Sequence, residues 1–334
     1  MSPVIRHSSA PDVSILIVSY NTCDVLRKCL ESVERESTGL EVEVSIVDNN
    51  SSDGSAEMIE REFPQVRLIR SQVNLGFGAA NNAALDSCRG RYIVLLNSDA
   101  FLCPDSLRLA VQHMDENPKA GLGGGRLVGC DFSWQPSARM FPGVLSDFIV
   151  MTGLAYRFPK SRFFGGADRT WADQSVASEV DWVPGAFSII RSDVIATLGL
   201  FDPAFFLYCE EVDLCRRIKS AGHQIWYWPD ITVIHIGGES SRQVKSLEMS
   251  ASGAQLVLWR MRSTLLYYRK HHGRKAWLAK TTELTVYRLT ELRNSWSRDP
   301  KRVARRKEYR KMISLMHQAW QETQGGRISP PRPW

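Results

Sequence analysis

The sequence predicts an α/β protein whose mostly parallel sheet carries helices on both faces. Three observations predict this class: continuous apolar runs rich in β-branched residues, helical periodicity between those runs, and polar residues where the runs end. The chain has 334 residues, of which 43% are hydrophobic and 23% are charged, so it can bury a sizeable core. Strands that alternate with helices favour a parallel sheet.

The first half of the chain alternates four strands with four helices. Strands are predicted in four stretches: 13–21, 41–55, 66–70 and 91–102. The second strand ends in Asp48, Asn49 and Asn50, and the fourth ends at Asp99. The helices follow them in order: 22–36, 55–63, the stretch 74–88 that enters its helix through a glycine-rich turn, and 104–118, which has proline at its start.

The second half is less regular. Residues 121–128 predict a strand with loose edges, and residues 129–180 show no clear period, so no element is assigned to them. A strand and a helix are predicted in 180–202, a helix that stops at Gly222 follows, and further strands are predicted in 225–238. Beyond residue 242 the chain is helical and basic.

Charge divides the chain into two regions, 1–241 and 242–334. The net charge is +6, but residues 242–334 hold 21 Lys and Arg against 6 Asp and Glu, while the rest is acidic. Leucine, tryptophan and tyrosine stand among these basic residues, which favours contact with an anionic membrane surface. The alternative is that these helices simply pack against the rest of the protein. Nucleic-acid binding is a weaker alternative, because the sequence contains no recognisable base-reading module.

The cysteines and apolar runs indicate the compartment. Seven scattered cysteines without CxxC spacing predict a reducing compartment and no zinc site. No apolar run approaches the 18 residues of a spanning helix, and the N-terminus lacks a signal-peptide core. We therefore expect a cytoplasmic protein, with peripheral contact at the inner face of the plasma membrane.

Polar residues gather where the predicted strands end. They are Ser19, Tyr20 and Asn21 after the first strand, Asp48 and Asn50 after the second, and Asn97 and Asp99 after the fourth. The carboxyl ends of parallel strands form the ligand crevice of such sheets. Asp48 could accept a hydrogen bond from a nucleobase, and Asp99 could hold Mg²⁺ together with substrate phosphates. Turn formation is the alternative for both aspartates.

The stretch "NLGFGAANN" imitates a dinucleotide-binding fingerprint through Gly76 and Gly78. The third fingerprint position is Asn81 rather than glycine or alanine, and the unit is the third strand–helix step instead of the first. An NAD site is therefore not favoured, and glycines that serve only a tight turn remain an alternative.

The stretch "FFLYCEEVDLCRR", residues 205–217, places Glu210, Glu211 and Asp213 at the start of a helix. Clustered acids raise one another's pKa, which suits a general base. Solvated acids that stabilise a helix start are the alternative.

Seven blocks now carry a family resemblance. In order they are "SILIVSYN", "VDNNSSDGS", "NLGFGAANN", "LLNSDA", "VPGAFSIIRSDV", "FDPAFFLYCEEVDLCRR" and "VIHIGGES". Together they resemble the inverting, GT-A fold glycosyltransferases of family 2, especially the rhamnosyltransferase-like branch. The resemblance covers residues 13–241 and extends loosely into 255–272. It implies a catalytic domain at 1–241, with 242–334 as a basic helical extension.

The resemblance also implies the reaction. The donor would be a nucleotide-diphosphate sugar such as dTDP-rhamnose or a UDP-sugar, used with Mg²⁺ or Mn²⁺. The acceptor would be a saccharide or a lipid-linked saccharide in cell-surface polysaccharide synthesis. A non-catalytic protein that keeps the fold and docks on membrane or nucleic acid through its basic extension is the alternative function.

The family's site residues are carried over by position. Ser19, Tyr20 and Asn21 would line the nucleoside pocket. Asp48 would bind the base with Asn50 nearby, and Asn74 and Gly76 would border the nucleotide. Asp99 matches the last acid of the family's DxD-type metal motif, whose first acid is replaced here by Asn97. His235 matches a further metal ligand of some relatives, with a structural role as the alternative.

The same resemblance implies the general base. In related enzymes the second acid of the sixth block is the base and is usually Asp, whereas this chain has Glu211, one methylene longer. Glu210 would orient the acceptor or substitute as the base.

Overall fold

The computed structural model describes residues 10–237 and 251–331. Ten strands are named within these ranges: β1 Val13–Ser19, β2 Val42–Asp48, β3 Arg67–Arg70, β4 Tyr92–Asn97, β5 Ala100–Leu102, β6 Ala120–Val128, β7 Trp134–Gln135, β8 Ser178–Glu179, β9 Phe187–Arg191 and β10 Gln224–His235. The helices are α1 Cys23–Glu36, α2 Ser55–Glu62, α3 Phe77–Leu85, α4 Ser106–Glu116, α5 Val144–Met151, α6 Leu154–Arg157, α7 Ser192–Leu198, α8 Glu210–Ser220, α9 Ala251–His272, α10 Ala276–Arg293 and α11 Pro300–Glu322.

The strands form one sheet in the order β3-β2-β1-β4-β9-β6-β10-β5. β1 to β4 run parallel to one another, as the alternation of strands and helices predicts. β9 is inserted antiparallel between β4 and β6, and β10 is parallel to β6. The predicted α/β sheet flanked by helices is therefore confirmed.

The predicted fourth strand, 91–102, is divided in two. β4 ends at Asn97, and β5 pairs antiparallel with β10 at the far end of the sheet order. The carbonyl of Asp99 accepts a hydrogen bond from the N–H of Ile236 at 3.1 Å. The turn at Ser98 and Asp99 thus carries the chain away from β4 and sets Asp99 beside the end of β10.

β6 is an interior strand rather than one with loose edges. Eight of its nine residues are buried, and it lies between β9 and β10. Its glycines make room for large neighbours, since a Cβ on Gly123 would lie 1.8 Å from the Trp228 ring. Glycine residues weaken an isolated strand, so β6 is stabilised by its packing against neighbouring strands and side chains.

The sheet has an apolar core on each face. Along β1, Ile15 and Ile17 pack with α1, α2 and α4, while Leu16 packs on the other side with α3, α7 and α8. This alternation follows from the two-residue period of a strand.

The helices beyond residue 250 join this body and also have a core of their own. Tyr267 and Tyr268 of α9 belong to the second core of the sheet. Met261, Leu284 and Met316 pack α9, α10 and α11 together. The predicted boundary between 241 and 242, like the end of the seventh sequence block, lies outside the described residues, and the division into two domains stays a prediction. None of the helices that the structure describes is long and apolar enough to cross a bilayer.

Candidate functional site

Three strand ends meet at one edge of the sheet. The register places Ser19 opposite Asp48 and sets β4 beside β1. The Ser19 hydroxyl lies 3.1 Å from that of Thr22, which donates to the Ser98 hydroxyl at 3.1 Å. A chain of buried hydroxyls therefore connects the ends of β1 and β4.

Asp48 offers an unused acceptor at this edge. It is 4% exposed, and its Oδ2 accepts the N–H of Ser51 at 3.0 Å. Its Oδ1 is buried and has no hydrogen-bond partner among the described residues. Such an atom costs about 1–3 kcal/mol, which a ligand N–H or water would recover. Asn50 beyond it is exposed, in a left-handed turn with φ 67°.

Asn21 connects the loops that follow β1 and β2. Its backbone N–H donates to the Ser51 hydroxyl at 3.0 Å, and its Oδ1 accepts the N–H of Ser52 at 2.8 Å. Asn21 has a left-handed φ of 52°, and the neighbouring Tyr20 is half-buried. The structure thus brings the first predicted cluster to the same edge as Asp48.

The glycine-rich turn is held by Asn49, which the sequence analysis did not assign. Its Nδ2 donates to Asn74 Oδ1 at 3.0 Å and to the Gly76 carbonyl at 3.2 Å, and its Oδ1 accepts the N–H of Leu75 at 2.8 Å. Gly76 has φ 79°, and a Cβ there would lie 2.2 Å from the Phe206 carbonyl. Glycine is required here because the turn packs against the backbone of Phe206, in the stretch 205–217 that carries the acids.

Asn97, Asp99 and His235 converge where β4 ends and β5 meets β10. Asp99 Oδ1 lies 3.5 Å from His235 Nε2, and Asn97 Nδ2 lies 3.4 Å from the same nitrogen. Gln135 donates to the His235 carbonyl at 2.7 Å and places its Oε1 3.0 Å from Nδ1. This arrangement assigns a proton to Nδ1 and turns the lone pair of Nε2 toward Asp99 in the neutral ring.

This donor set fits a divalent cation with two protein ligands. A carboxylate and an imidazole lone pair that face each other across 3.5 Å are stabilised by a cation that both can bind. Mg²⁺ typically keeps waters and substrate phosphates in its other positions. Among the residues described, no three His, Cys, Asp or Glu side chains form a metal cluster, so further ligands would have to come from the substrate and solvent.

Glu210 and Glu211, called the acid pair below, begin α8. Each has a buried Oε2 without a hydrogen-bond partner in the described part of the chain. Burial raises the pKa of both carboxyls, and the charge of Glu211 raises that of Glu210 further. Arg139 and the N–H of Gly185 partly oppose this rise at Glu211. Both carboxyls therefore keep their protons to a higher pH than an ordinary glutamate, and the two titrate as a pair.

A strained turn positions the acid pair. Tyr208 and Cys209 have left-handed φ values of 72° and 66°. In residues other than glycine, each such conformation costs on the order of 1–3 kcal/mol and persists only where surrounding contacts impose it. Ser263 of α9 supplies one such contact by donating to the Leu207 carbonyl at 2.7 Å. The extension therefore helps to fix where α8 begins.

Comparison with known proteins identifies the family. Residues 14–169 match the model of Glycosyl transferase family 2. Rhamnosyltransferase WbbL of Escherichia coli (strain K12) is 27% identical over 76% of this chain and 92% of its own length. An N-acetylglucosaminyl-diphospho-decaprenol L-rhamnosyltransferase of Mycobacterium tuberculosis (strain H37Rv) is 27% identical over 71% of this chain and 80% of its own. By these matches the chain is a glycosyltransferase similar to family 2. The predicted resemblance to that family and to its rhamnosyltransferase-like branch is confirmed.

Solved structures support the fold of the glycosyltransferase. The mannosyltransferase PcManGT from Pyrobaculum calidifontis, in complex with GDP-Man and Mn²⁺, has a TM-score of 0.55 at 15% identity and covers 93% of this chain and 86% of its own. GalNAc-T7 with UDP, GalNAc and Mn²⁺ has a TM-score of 0.51 at 13% identity, over 78% and 51% of the two chains. The GT-A fold expected from the sequence is confirmed.

Arg139 lies in the stretch where the sequence analysis assigned no element. Its guanidinium stacks 4.5 Å above the Trp182 ring and lies 2.5 Å from Asp168. Its charge lowers the pKa of Glu211. No local pattern could have indicated this role, because the contacts join residues about 30–70 positions apart.

The extension of the glycosyltransferase also reaches the site. Arg260 of α9 donates to Glu283 Oε1 at 2.6 Å. Burial raises the pKa of Tyr208, and the charge of Arg260 opposes part of that rise. Burial raises the pKa of Asp147 on α5 to about 6, and this carboxylate accepts the Tyr268 hydroxyl at 2.6 Å. α9 therefore contacts the turn that precedes the acid pair, and α5 and α10 bond to α9.

Asp213 has a different environment from the rest of its cluster. It is fully buried, with Arg217 at 2.9 Å and both Lys270 and His271 at 2.7 Å. The sequence suggested a role at the start of the helix, whereas the structure makes Asp213 the centre of an ion cluster between α8 and α9.

Proposed function

We propose that the chain is an inverting, metal-dependent enzyme that moves rhamnose or a related hexose from a nucleotide-diphosphate sugar to a saccharide or lipid-linked saccharide in cell-surface polysaccharide synthesis. The acid pair carries the proposal, because its buried, unpartnered oxygens and the raised pKa values of both carboxyls suit a general base. The names of the two rhamnosyltransferase relatives support the sugar and, for one, a diphospholipid acceptor.

The donor nucleotide would bind at the ends of β1 and β2. Ser19, Tyr20 and Asn21 would line the nucleoside pocket, and Asp48 Oδ1 would accept the imide N–H of thymine or uracil. Asn50, Asn74 and Gly76 would border the nucleotide. The free acceptor capacity of Asp48 supports a base with such a donor, as in dTDP-rhamnose or a UDP-sugar.

Asp99 and His235 would hold Mg²⁺ or Mn²⁺, with Asn97 beside them. A divalent cation held there would supply charge neutralisation for the leaving diphosphate. Gln135 would orient His235 through its contacts with Nδ1 and the carbonyl.

Glu211 would take the proton of the acceptor hydroxyl as the hydroxyl oxygen attacks the anomeric carbon. The bond from that carbon to the diphosphate breaks on the opposite face, and the diphosphate leaves with the electron pair, which inverts the configuration. Glu210, protonated, would donate a hydrogen bond that orients the acceptor.

Calorimetric titration with dTDP, UDP, GDP and NAD, each with Mg²⁺, Mn²⁺ or chelator, tests the donor class. We expect dTDP or UDP to bind in a metal-dependent way. Asp99→Asn should weaken this binding at least about tenfold with metal and much less with chelator. Asp105→Asn is the control, because Asp105 is an exposed carboxylate that pairs with Arg108. If no nucleotide binds under any condition, the non-catalytic alternative replaces this proposal.

The location follows from the same proposal. A cytoplasmic enzyme in peripheral contact with the inner face of the plasma membrane would meet a lipid-linked acceptor there. The excess of basic residues in 242–334 supports contact with anionic lipid. A protein that docks on nucleic acid through the same extension has no need of a buried, unpartnered acid pair.

A further inference from the structure

Large apolar side chains are exposed on two helices that contact each other, α5 and α10. On α10 the exposed fractions are 60% for Leu289 and 53% for Leu292, and Trp296 just beyond the helix is 83% exposed. On α5 they are 58% for Leu145 and 37% for Phe148. These five residues are called the apolar face below. A soluble surface scatters such side chains singly, so a group on adjacent elements indicates an interaction site.

The spacing places these side chains on the outer side of both helices. Residues three and four positions apart share one face of a helix, as Leu289 and Leu292 do on α10. The opposite face of α10 turns inward, since Glu283 and Tyr287 are buried and both bond Arg260 of α9.

α5 has the same two-sided character. Leu145 and Phe148 are exposed, while Asp147 between them bonds the buried Tyr268 of α9. The inner side of α5 and α10 therefore bonds to α9, which also contacts the turn before the acid pair, and their outer side is apolar. A partner on the apolar face would lie next to the place where an acceptor enters.

Charge distinguishes a bilayer from a second copy of the chain. Arg288 and Arg293 are exposed on α10, and Lys301, Arg302 and Arg305 are exposed on α11, which packs against α10. Two such basic surfaces would repel each other. An anionic bilayer attracts them, and its interface accommodates leucine and tryptophan.

We propose that the apolar face and its basic rim form an interfacial surface that binds anionic lipid bilayers. The apolar side chains insert at the level of the headgroups while the arginines and lysines contact anionic lipid. The benefit for catalysis, delivery of a lipid-linked acceptor to the acid pair, rests on the function proposed above. Bilayer binding itself does not depend on that function.

Vesicle flotation tests the surface with the full-length protein. We expect binding to vesicles that contain phosphatidylglycerol and little binding to phosphatidylcholine alone. The variant Leu289→Ser, Leu292→Ser, Trp296→Ser should bind the anionic vesicles at least tenfold more weakly. The control variant Phe132→Ser, Val176→Ser removes two exposed apolar side chains that lie outside the apolar face, and it should bind like the parent.

Thermal unfolding and nucleotide titration establish that the triple variant is folded. Equal vesicle binding by the parent and the triple variant would overturn the proposal, as would failure of the parent to bind. Dimerisation of the parent that the triple substitution abolishes, without vesicle binding, would assign the face to a second copy instead. Each of these results leaves transfer to a water-soluble acceptor intact, so it is distinguishable from failure of the proposed function.

Discussion

Replacing Glu211 with glutamine should lower kcat for sugar transfer by about 10²–10⁴-fold while leaving nucleotide binding near that of the parent. Glutamine preserves the shape of the side chain but cannot accept the proton of the acceptor hydroxyl. The carboxyl is buried, and its Oε2 has no hydrogen-bond partner in the described structure, so the substitution breaks no contact of that atom. Steady-state transfer assays and calorimetry on the same preparation separate catalysis from donor binding.

Glu210→Gln is the matched control for this experiment. Burial and the charge of Glu211 raise the pKa of Glu210, so glutamine resembles its protonated state. We expect transfer to fall less than about tenfold. The reverse pattern, with Glu210→Gln inactive and Glu211→Gln active, would assign the base to Glu210.

The pH dependence of kcat/KM follows from the same residue. Because burial raises the pKa of Glu211, the base is protonated and inactive below that pKa, and activity rises as pH increases through it. The acidic limb should therefore lie above the ordinary glutamate range of about 4.3. An acidic limb at or below that range in the parent would contradict the assignment.

Replacing Asp213 with asparagine should lower the free energy of unfolding by about 3–5 kcal/mol. The side chain is fully buried, and its carboxylate neutralises Arg217 and Lys270 and lies 2.7 Å from His271 Nε2. Asparagine keeps the shape but leaves those groups without their anion. Chemical denaturation followed by circular dichroism measures the loss.

Asp202→Asn is the comparison, because Asp202 pairs with the same Lys270 at 2.6 Å from a partly exposed position. Its cost should stay within about 1 kcal/mol. Equal losses in the two variants would show that the buried cluster is not the main link between α8 and α9.

The contribution of Asp213 also depends on pH in a defined direction. Burial favours its protonated form, but hydrogen bonds from His271, Lys270 and Arg217 outweigh this and lower its pKa from 3.8 to about 2. The stabilisation is therefore present above about pH 4 and lost as pH falls toward 2. Between about pH 4 and pH 2, the free energy of unfolding of the Asp213→Asn variant should therefore fall less than that of the parent.

Local patterns accounted for much of the fold. The strands at 13–19, 42–48 and 67–70 match their predicted runs closely, because their apolar residues face helices on both sides of the sheet. The polar residues at the strand ends came together because parallel neighbours end at the same edge.

Other features required long-range contacts. The run 91–102 appears continuous in sequence, and only pairing of β5 with β10 divides it and brings Asp99 to His235. Residues 129–180 lack periodicity since their short elements depend on contacts with the sheet and with α10.

The sequence by itself determined the α/β class, the family and the identity of the acids and amides at the strand ends, because these depend on residue periods and motif spacing. Tertiary structure decided the environment of the acid pair, since burial raises the pKa of both carboxyls and Arg139 and Gly185 act on Glu211 from distant segments. It also decided that Asp213 is a buried link to α9 and that leucines lie exposed on α10, which contacts α5. Burial and electrostatic fields depend on three-dimensional packing, which one-dimensional spacing does not specify.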